Sequence, residues 1–206
     1  MVRYTGPKNR IARKFGANIF GKKRNPLAHK VNPPGQHGAK RTKKSDYGVQ
    51  LEEKQKLRAC YGMLQQKILV KYYKQAVVLE GNTPNLFMQR IETRLDSLVY
   101  RLKFATTIFH AQQLVAHGHI LVNGKKVDIR SFEVQEGMTI SIAEKSKNNA
   151  LIKEALERSS VNVPEYLSLD GPGMSGKLLV KPQIDQIPLP IPINVGVVCE
   201  FLAYTN

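Results

Sequence analysis

Residues 90–142 read RIETRLDSLVYRLKFATTIFHAQQLVAHGHILVNGKKVDIRSFEVQEGMTISI, and their patterning decides the fold. At about 100° per residue, Ile91, Leu95, Leu98 and Leu102 fall within about 60° of arc, with Arg90, Arg94 and Arg101 on an adjacent strip. The spacing predicts one helix over 90–102, with an apolar face and an arginine edge. Thr106 or Thr107 starts a second helix that buries Ile108, Ala111, Leu114 and Val115 and stops at Gly118. Residues 119–122 (HILV) follow as a strand. Asn123-Gly124 is the preferred type I′ hairpin turn, because both residues tolerate positive φ, and it aims Lys125 and Lys126. After the Glu136-Gly137 turn, Met138, Ile140 and Ile142 alternate inward on a further strand. Two helices packed on a small twisted sheet, with arginines and hairpin lysines, form a compact surface for phosphates.

Upstream, residues 45–81 (SDYGVQLEEKQKLRACYGMLQQKILVKYYKQAVVLEG) are rich in helix formers. Leu57, Tyr61, Leu64 and Ile68 make one apolar stripe, which Gly62 breaks or bends and Gly81 ends. Thr83 and Pro84 are an N-cap and first helical position for the next helix. Residues 1–44 have another texture: five glycines and four prolines leave no room for an element of ordinary length, so this arm is expected to be largely irregular.

Charge is distributed as unevenly as texture. The arm holds 13 Lys and Arg and no Asp or Glu, and residues 1–58 hold 16 basic against 3 acidic side chains, out of a net charge of +16 for all 206 residues. Self-repulsion of this kind opposes compaction until something negative neutralises it, so a polyanion is the expected partner. Tyr4, Phe15 and Phe20 are interleaved with the cations, which suits insertion between RNA elements. An anionic membrane surface is the competing reading. It would need an amphipathic helix with lysines flanking bulky apolar residues, whereas the apolar stripe of 90–104 is better explained by a core.

Other classes are excluded on residue chemistry. Cys60 and Cys199 are the two cysteines, with apolar neighbours around the second, and are expected reduced and buried in an intracellular protein. The first residues lack the apolar run of a signal peptide, and no 18 apolar residues stand together, so a soluble chain is expected. GPGMSGKL at 171–178 carries Gly176-Lys177 in phosphate-loop fashion, but Leu178 replaces the Mg²⁺-binding hydroxyl and Pro182 blocks the helix, so a turn is expected. His110, His117 and His119 have no Cys or carboxylate at metal-ligand spacing, leaving phosphate contact or surface exposure. Glu92 and Asp96, four apart among arginines, are expected to form screened ion pairs rather than an acid/base couple.

Residues 90–142 resemble the small RNA-binding module shared by small ribosomal subunit protein four, some pseudouridine synthases and bacterial-type tyrosyl-tRNA synthetases. RYTGPK at 3–8, PPGQHGA at 33–39, SDYGVQLEEKQKLRACYGML at 45–64 and PEYLSLD at 164–170 resemble the bacterial-type ribosomal family itself. The resemblance implies a primary binder of small-subunit (16S-type) ribosomal RNA that nucleates assembly of the subunit body, contacts protein five, lies near the place where mRNA enters and, with proteins five and twelve, supports translational accuracy. It implies no catalysis, no cofactor, no small-molecule substrate and no membrane. Some members hold zinc through arm cysteines; this arm has none, so no metal is expected. The alternative is an accessory to an RNA-modifying enzyme, or another RNA-binding protein carrying the same module. The implied location is a cytoplasmic ribosome, with a plastid ribosome left open.

The expected fold class is α+β: an irregular basic N-terminal arm, a mostly α-helical domain, and an inserted RNA-binding module of helices on a short, mainly antiparallel sheet. The expected segments are the arm at 1–44, a helical domain at 45–88, the module at 89–150, and a C-terminal helix and strands at 151–206 that pack back on the helical domain. Candidate RNA contacts in the arm are Arg3, Tyr4, Lys8, Arg10, Arg13, Lys14, Lys22, Lys23, Arg24, His37, Lys40, Arg41, Lys43 and Lys44. The helical block adds Lys54, Lys56 and Arg58. The module adds Arg90, Arg94, Arg101, Lys103, His117, Asn123, Lys125 and Lys126. Arg94 and Arg101 are expected to be exposed, so that replacing them weakens binding and leaves stability almost unchanged.

Overall fold

The computed structural model describes residues 4–40, 43–157, 163–170 and 174–205. The class is α+β, and the chain divides into two compact units: residues 1–84 with 189–206, and residues 85–188.

The first unit is helical. Its arm contains one regular element, α1 (Lys8–Phe15), fitted between Pro7 and the left-handed Gly16 at φ 65°. The rest of the described arm is turns and irregular chain. Packing reaches the arm all the same, since Ala12, Ile19 and Phe20 are buried. Phe20 is therefore a core side chain and not an intercalator, because its ring is already removed from water. α2 (Asp46–Cys60) begins at Ser45, whose hydroxyl accepts the Gly48 N–H. It ends where Gly62 and Met63 both take positive φ, and α3 (Gln66–Val77) follows. Leu57, Tyr61 and Leu64 are buried, and Leu69 rather than the half-buried Ile68 continues the apolar face after the break. α8 (Val195–Tyr204) packs on α2 and α3. Asn194 caps it, and the Asn194 N–H donates to Glu53 of α2 at 2.9 Å.

The second unit begins within α4 (Thr83–Glu92). The single helix expected over 90–102 is instead two, α4 and α5 (Leu95–Arg101), broken at Thr93-Arg94. The break has a non-local cause. Arg94 takes extended φ/ψ and bridges Glu133, the Val134 N–H donates to Thr93 O at 3.0 Å, and the Leu95 N–H donates to Phe132 O at 2.8 Å. α6 (Ile108–Ala116) starts at Thr107, whose hydroxyl accepts the His110 N–H, and buries Ile108, Ala111, Leu114 and Val115 as its pattern requires.

The sheet is antiparallel throughout, in the order β2-β1-β3-β5-β4. β1 (Ile120–Val122) and β2 (Lys125–Lys126) form the Asn-Gly hairpin, with φ of 48° at Asn123 and 77° at Gly124. β3 (Thr139–Ile142) pairs Ile120 with Ile142, which puts Ile120, Val122, Ile140 and Ile142 on one buried face with Leu95, Leu98 and Leu102. β4 (Leu167–Asp170) and β5 (Ser175–Leu178) complete the sheet, β5 lying beside β3.

Two expectations change here. Of the turn expected at 171–178, residues 171–173 lie outside the described residues, and Gly176-Lys177 lies in β5: a Cβ on Gly176 would stand 2.4 Å from Leu102 Cδ2 and 2.8 Å from Ser168 O, so glycine is what lets the end of α5 approach the sheet. The tail is also shared between units. α7 (Ala150–Glu157), β4 and β5 belong with the sheet, because β5 fills the edge of β3, and only 189–206 returns to the helical unit.

Candidate nucleic-acid interface

The candidate cations fall into three groups by what they touch. Along the described arm, Arg10, Lys14, Lys23, Arg24, His37, Lys40, Lys43 and Lys44 are exposed, while Lys8, Lys22 and Tyr4 are half-buried. Arg3 and Arg41 lie outside the described residues. Several arm side chains also shape the arm itself. The Arg13 guanidinium donates to Asn32 O at 3.1 and 2.8 Å and to Pro33 O at 3.4 Å, tying α1 to the loop beyond it. Lys22 Nζ donates to Asn9 Oδ1 at 2.6 Å. The arm thus has internal ties that need no RNA.

In the helical block, Lys44 pairs with Glu52, and Lys56 pairs with Glu53 at 2.6 Å. Arg58 ties the end of α2 to the chain that follows, donating from Nε to Leu64 O at 2.6 Å and from Nη1 to Gln55 Oε1 at 2.9 Å. Lys54 is buried, with its ammonium 4.1 Å from the centroid of the Phe201 ring. Burial, then the neighbouring Arg58 charge, pushes its pKa below the usual lysine value. Lys54 is therefore packed on an aromatic ring in the helical unit instead of being presented to solvent.

The arginine strip is the main correction. Arg94 is 4% exposed and forms a bidentate pair with Asp96, at 2.9 and 2.7 Å, and Gln112 also donates to Asp96 Oδ2 at 3.3 Å. Arg101 reaches the fully buried Glu92 at 2.5 Å, and the Tyr166 hydroxyl donates to the same carboxylate at 2.8 Å. Burial, then the Glu92 charge, raises the Tyr166 pKa far above its usual value, so the phenol keeps the proton it donates. Arg101 Nη1 further donates to Pro188 O at 2.6 Å. Arg90 pairs with Glu133 at 3.2 Å. Ion pairing of Glu92 and Asp96 was legible from spacing, but the pairs are buried and unscreened. The helix break takes Arg94 and Arg101 off the solvent edge that a continuous helix gives them, whereas Arg90 stays partly exposed.

The hairpin does present its lysines. Lys125, Lys126 and Asn123 are exposed. Asn123 fixes the register, its N–H donating to Thr139 O and its Oδ1 accepting the Thr139 N–H, each at 2.8 Å. Lys103 sits half-buried just after α5 at φ 65°, and burial lowers its pKa. His117 is exposed at the end of α6, beside half-buried His119. Reasoning from sequence left out Lys30, exposed in the arm, and Lys145, exposed on the 3-10 turn Glu144–Ser146. Lys30 belongs to the same acid-free run and was open to the same reading; Lys145 carries no sequence signal, because only tertiary packing brings that turn to His119.

Among the described residues, no cluster of three or more His, Cys, Asp or Glu is placed to hold a metal ion, and no helix is long and apolar enough to cross a membrane. Both cysteines are buried thiols, and burial raises the Cys199 thiol to about 11.

Comparison with known proteins matches two family models, the ribosomal protein S4/S9 N-terminal domain over residues 3–92 and the S4 domain over residues 93–140. The chain is 64% identical over 206 residues to the small ribosomal subunit protein uS4 of Protochlamydia amoebophila (strain UWE25), covering 100% of both chains. It is 62% identical over 207 residues to uS4 of Chlamydia trachomatis serovar L2, and 58% identical over 207 residues to uS4 of Chlamydia caviae, with 99% of each chain covered in both cases.

Proposed function

Since the chain belongs to the uS4 family, structural and non-enzymatic proteins of the small ribosomal subunit, we propose that it is a primary binder of small-subunit ribosomal RNA that nucleates assembly of the subunit body. The observation that carries this reading is the charge of residues 1–58, 16 basic against 3 acidic side chains. The exposed cations of the arm, with Lys125 and Lys126 on the hairpin, form the proposed phosphate-contacting set. Arg94 and Arg101 leave that set, because their guanidiniums are committed to buried carboxylates. A-form RNA hides its base edges in a narrow major groove, so such a set selects RNA by shape. Contact with protein five, a place near the incoming mRNA, a role in accuracy together with proteins five and twelve, and a cytoplasmic ribosome as the location belong to the same proposal, and family membership supports them. The accessory-to-an-enzyme reading has no support of this kind, because the two matched domains run across residues 3–140 and the relatives match end to end as ribosomal proteins.

Binding as a function of salt tests the proposal. With about 6 to 10 phosphates neutralised, affinity for small-subunit ribosomal RNA falls roughly 10³- to 10⁵-fold between 50 and 200 mM salt. A flat salt response, or equal affinity for bulk tRNA at the upper salt concentration, contradicts it.

A further inference from the structure

His110 lies in α6 and His117 is its C-cap residue, and His117 and His119 flank the left-handed Gly118 at φ 70°. The two flanking rings lie 6.1 Å apart between centroids. Lys126 of β2 lies across the glycine between them: a Cβ there would stand 2.0 Å from Lys126 Cε and 2.8 Å from its Nζ. His119 Nδ1 is 2.7 Å from the hydroxyl of Ser146, a side chain that is itself buried, so the ring is held from behind and Nε2 remains as its second polar atom. The 3-10 turn that supplies Ser146 also supplies exposed Lys145. Its one carboxylate, Glu144, is paired with Lys147 at 2.5 Å. Histidines and lysines from the end of α6, from β2 and from this turn thus converge, and imidazole is the side chain whose ordinary charge change lies nearest neutral pH.

We propose that His117, His119 and Lys126 form a phosphate-binding site for RNA that takes up a proton when the RNA docks, so that RNA affinity depends on pH. The inference rests on the RNA-binding reading above and adds a regulation to it. In the free protein, burial first and then His117, Lys145 and Lys126 lower the His119 pKa, while burial and His119 lower that of His110. These rings are therefore mostly neutral at physiological pH. A phosphodiester offsets the lysine charges and adds a negative charge beside the rings, which raises their pKa. With the bound value above the free one, affinity grows as pH falls through the bound value. The gain is complete below the free value, which lies under the ordinary histidine pKa of about 6.5.

The test is the Kd of the full chain for small-subunit ribosomal RNA at constant ionic strength of about 0.15 M, from pH of about 8 to about 6. Wild-type Kd should tighten several-fold, with a ceiling of about tenfold per pH unit for each proton taken up. H119Q should flatten the profile. H119N, whose short amide retains a partner for Ser146, should flatten it equally if the missing imidazole charge is the cause. The His119 imidazole resonance should titrate at higher pH with RNA bound than without. A flat wild-type profile with binding intact, an unaltered slope in the variants, or an unmoved His119 titration would overturn the inference and leave the RNA-binding reading standing. Absence of binding at every pH would overturn both.

Discussion

Replacing Arg101 by alanine removes the guanidinium paired with the Glu92 carboxylate, which is fully buried and also accepts the Tyr166 hydroxyl at 2.8 Å. Removing one partner of a buried ion pair costs about 3 to 5 kcal/mol, because the remaining charge stays buried after losing the guanidinium that compensated it. Arg101→Ala is therefore expected to lower the urea midpoint strongly. Its effect on RNA binding should appear only through the damaged fold. An exposed arginine would instead change stability by about 0.5 kcal/mol or less. Denaturation curves for Arg101→Ala and Tyr166→Phe separate the two cases: the second variant keeps the ion pair and should lose about 1 to 3 kcal/mol for the one missing donor. The sequence shows an arginine and a glutamate nine residues apart, which suggests pairing. It does not show Tyr166, which lies 74 residues from Glu92 and belongs to a segment expected to pack elsewhere. Burial of a charge is a property of what closes over it, and that information is spread along the chain.

At the scale of elements, legibility follows the range of the cause. α6 and the Asn-Gly hairpin were readable because Thr107, Gly118, Asn123 and Gly124 act within their own few residues. The division of 90–102 into α4 and α5 was not, because it comes from pairing with residues 132–134, and nothing between Ile91 and Leu102 breaks helical periodicity. β5 was misread for the opposite reason: Gly176 looks like a turn residue, yet it serves close packing beneath Leu102. The hairpin offers a direct test. Asn123 sits at φ 48° and holds Thr139 through its side chain at 2.8 Å. Asn123→Ala places a residue with a Cβ and no local hydrogen-bonding group in the left-handed region, at about 1 to 2 kcal/mol, and removes a hydrogen bond worth about 1 kcal/mol. Amide exchange at Thr139 should accelerate while that of α6 stays slow. Equal acceleration in both elements would mean that the hairpin does not open separately.

Across the whole molecule, charge and compact structure are partitioned differently. Residues 1–84 with 189–206 carry 19 basic and 5 acidic side chains, whereas residues 85–188 carry 13 and 11. The unit that holds the S4 domain is therefore nearly neutral, and the excess positive charge lies in the helical unit and its arm. The arm is not merely an appendage to that unit, since Ala12, Ile19 and Phe20 are buried and Arg13 ties α1 to its following loop. Deleting residues 1–44 should accordingly do two things. It removes 13 cations, so the slope of log Kd against log salt should shrink by about 0.7 to 0.9 for each phosphate that the shortened chain no longer neutralises. It also removes the burial of Ile19 and Phe20, each worth about 1.5 to 3 kcal/mol, so the truncated chain should keep its helical circular dichroism yet melt at a lower temperature. A slope left unchanged by the deletion would move the phosphate-binding cations out of the arm. An unchanged melting temperature would mean that the arm is held by RNA alone, despite its buried side chains.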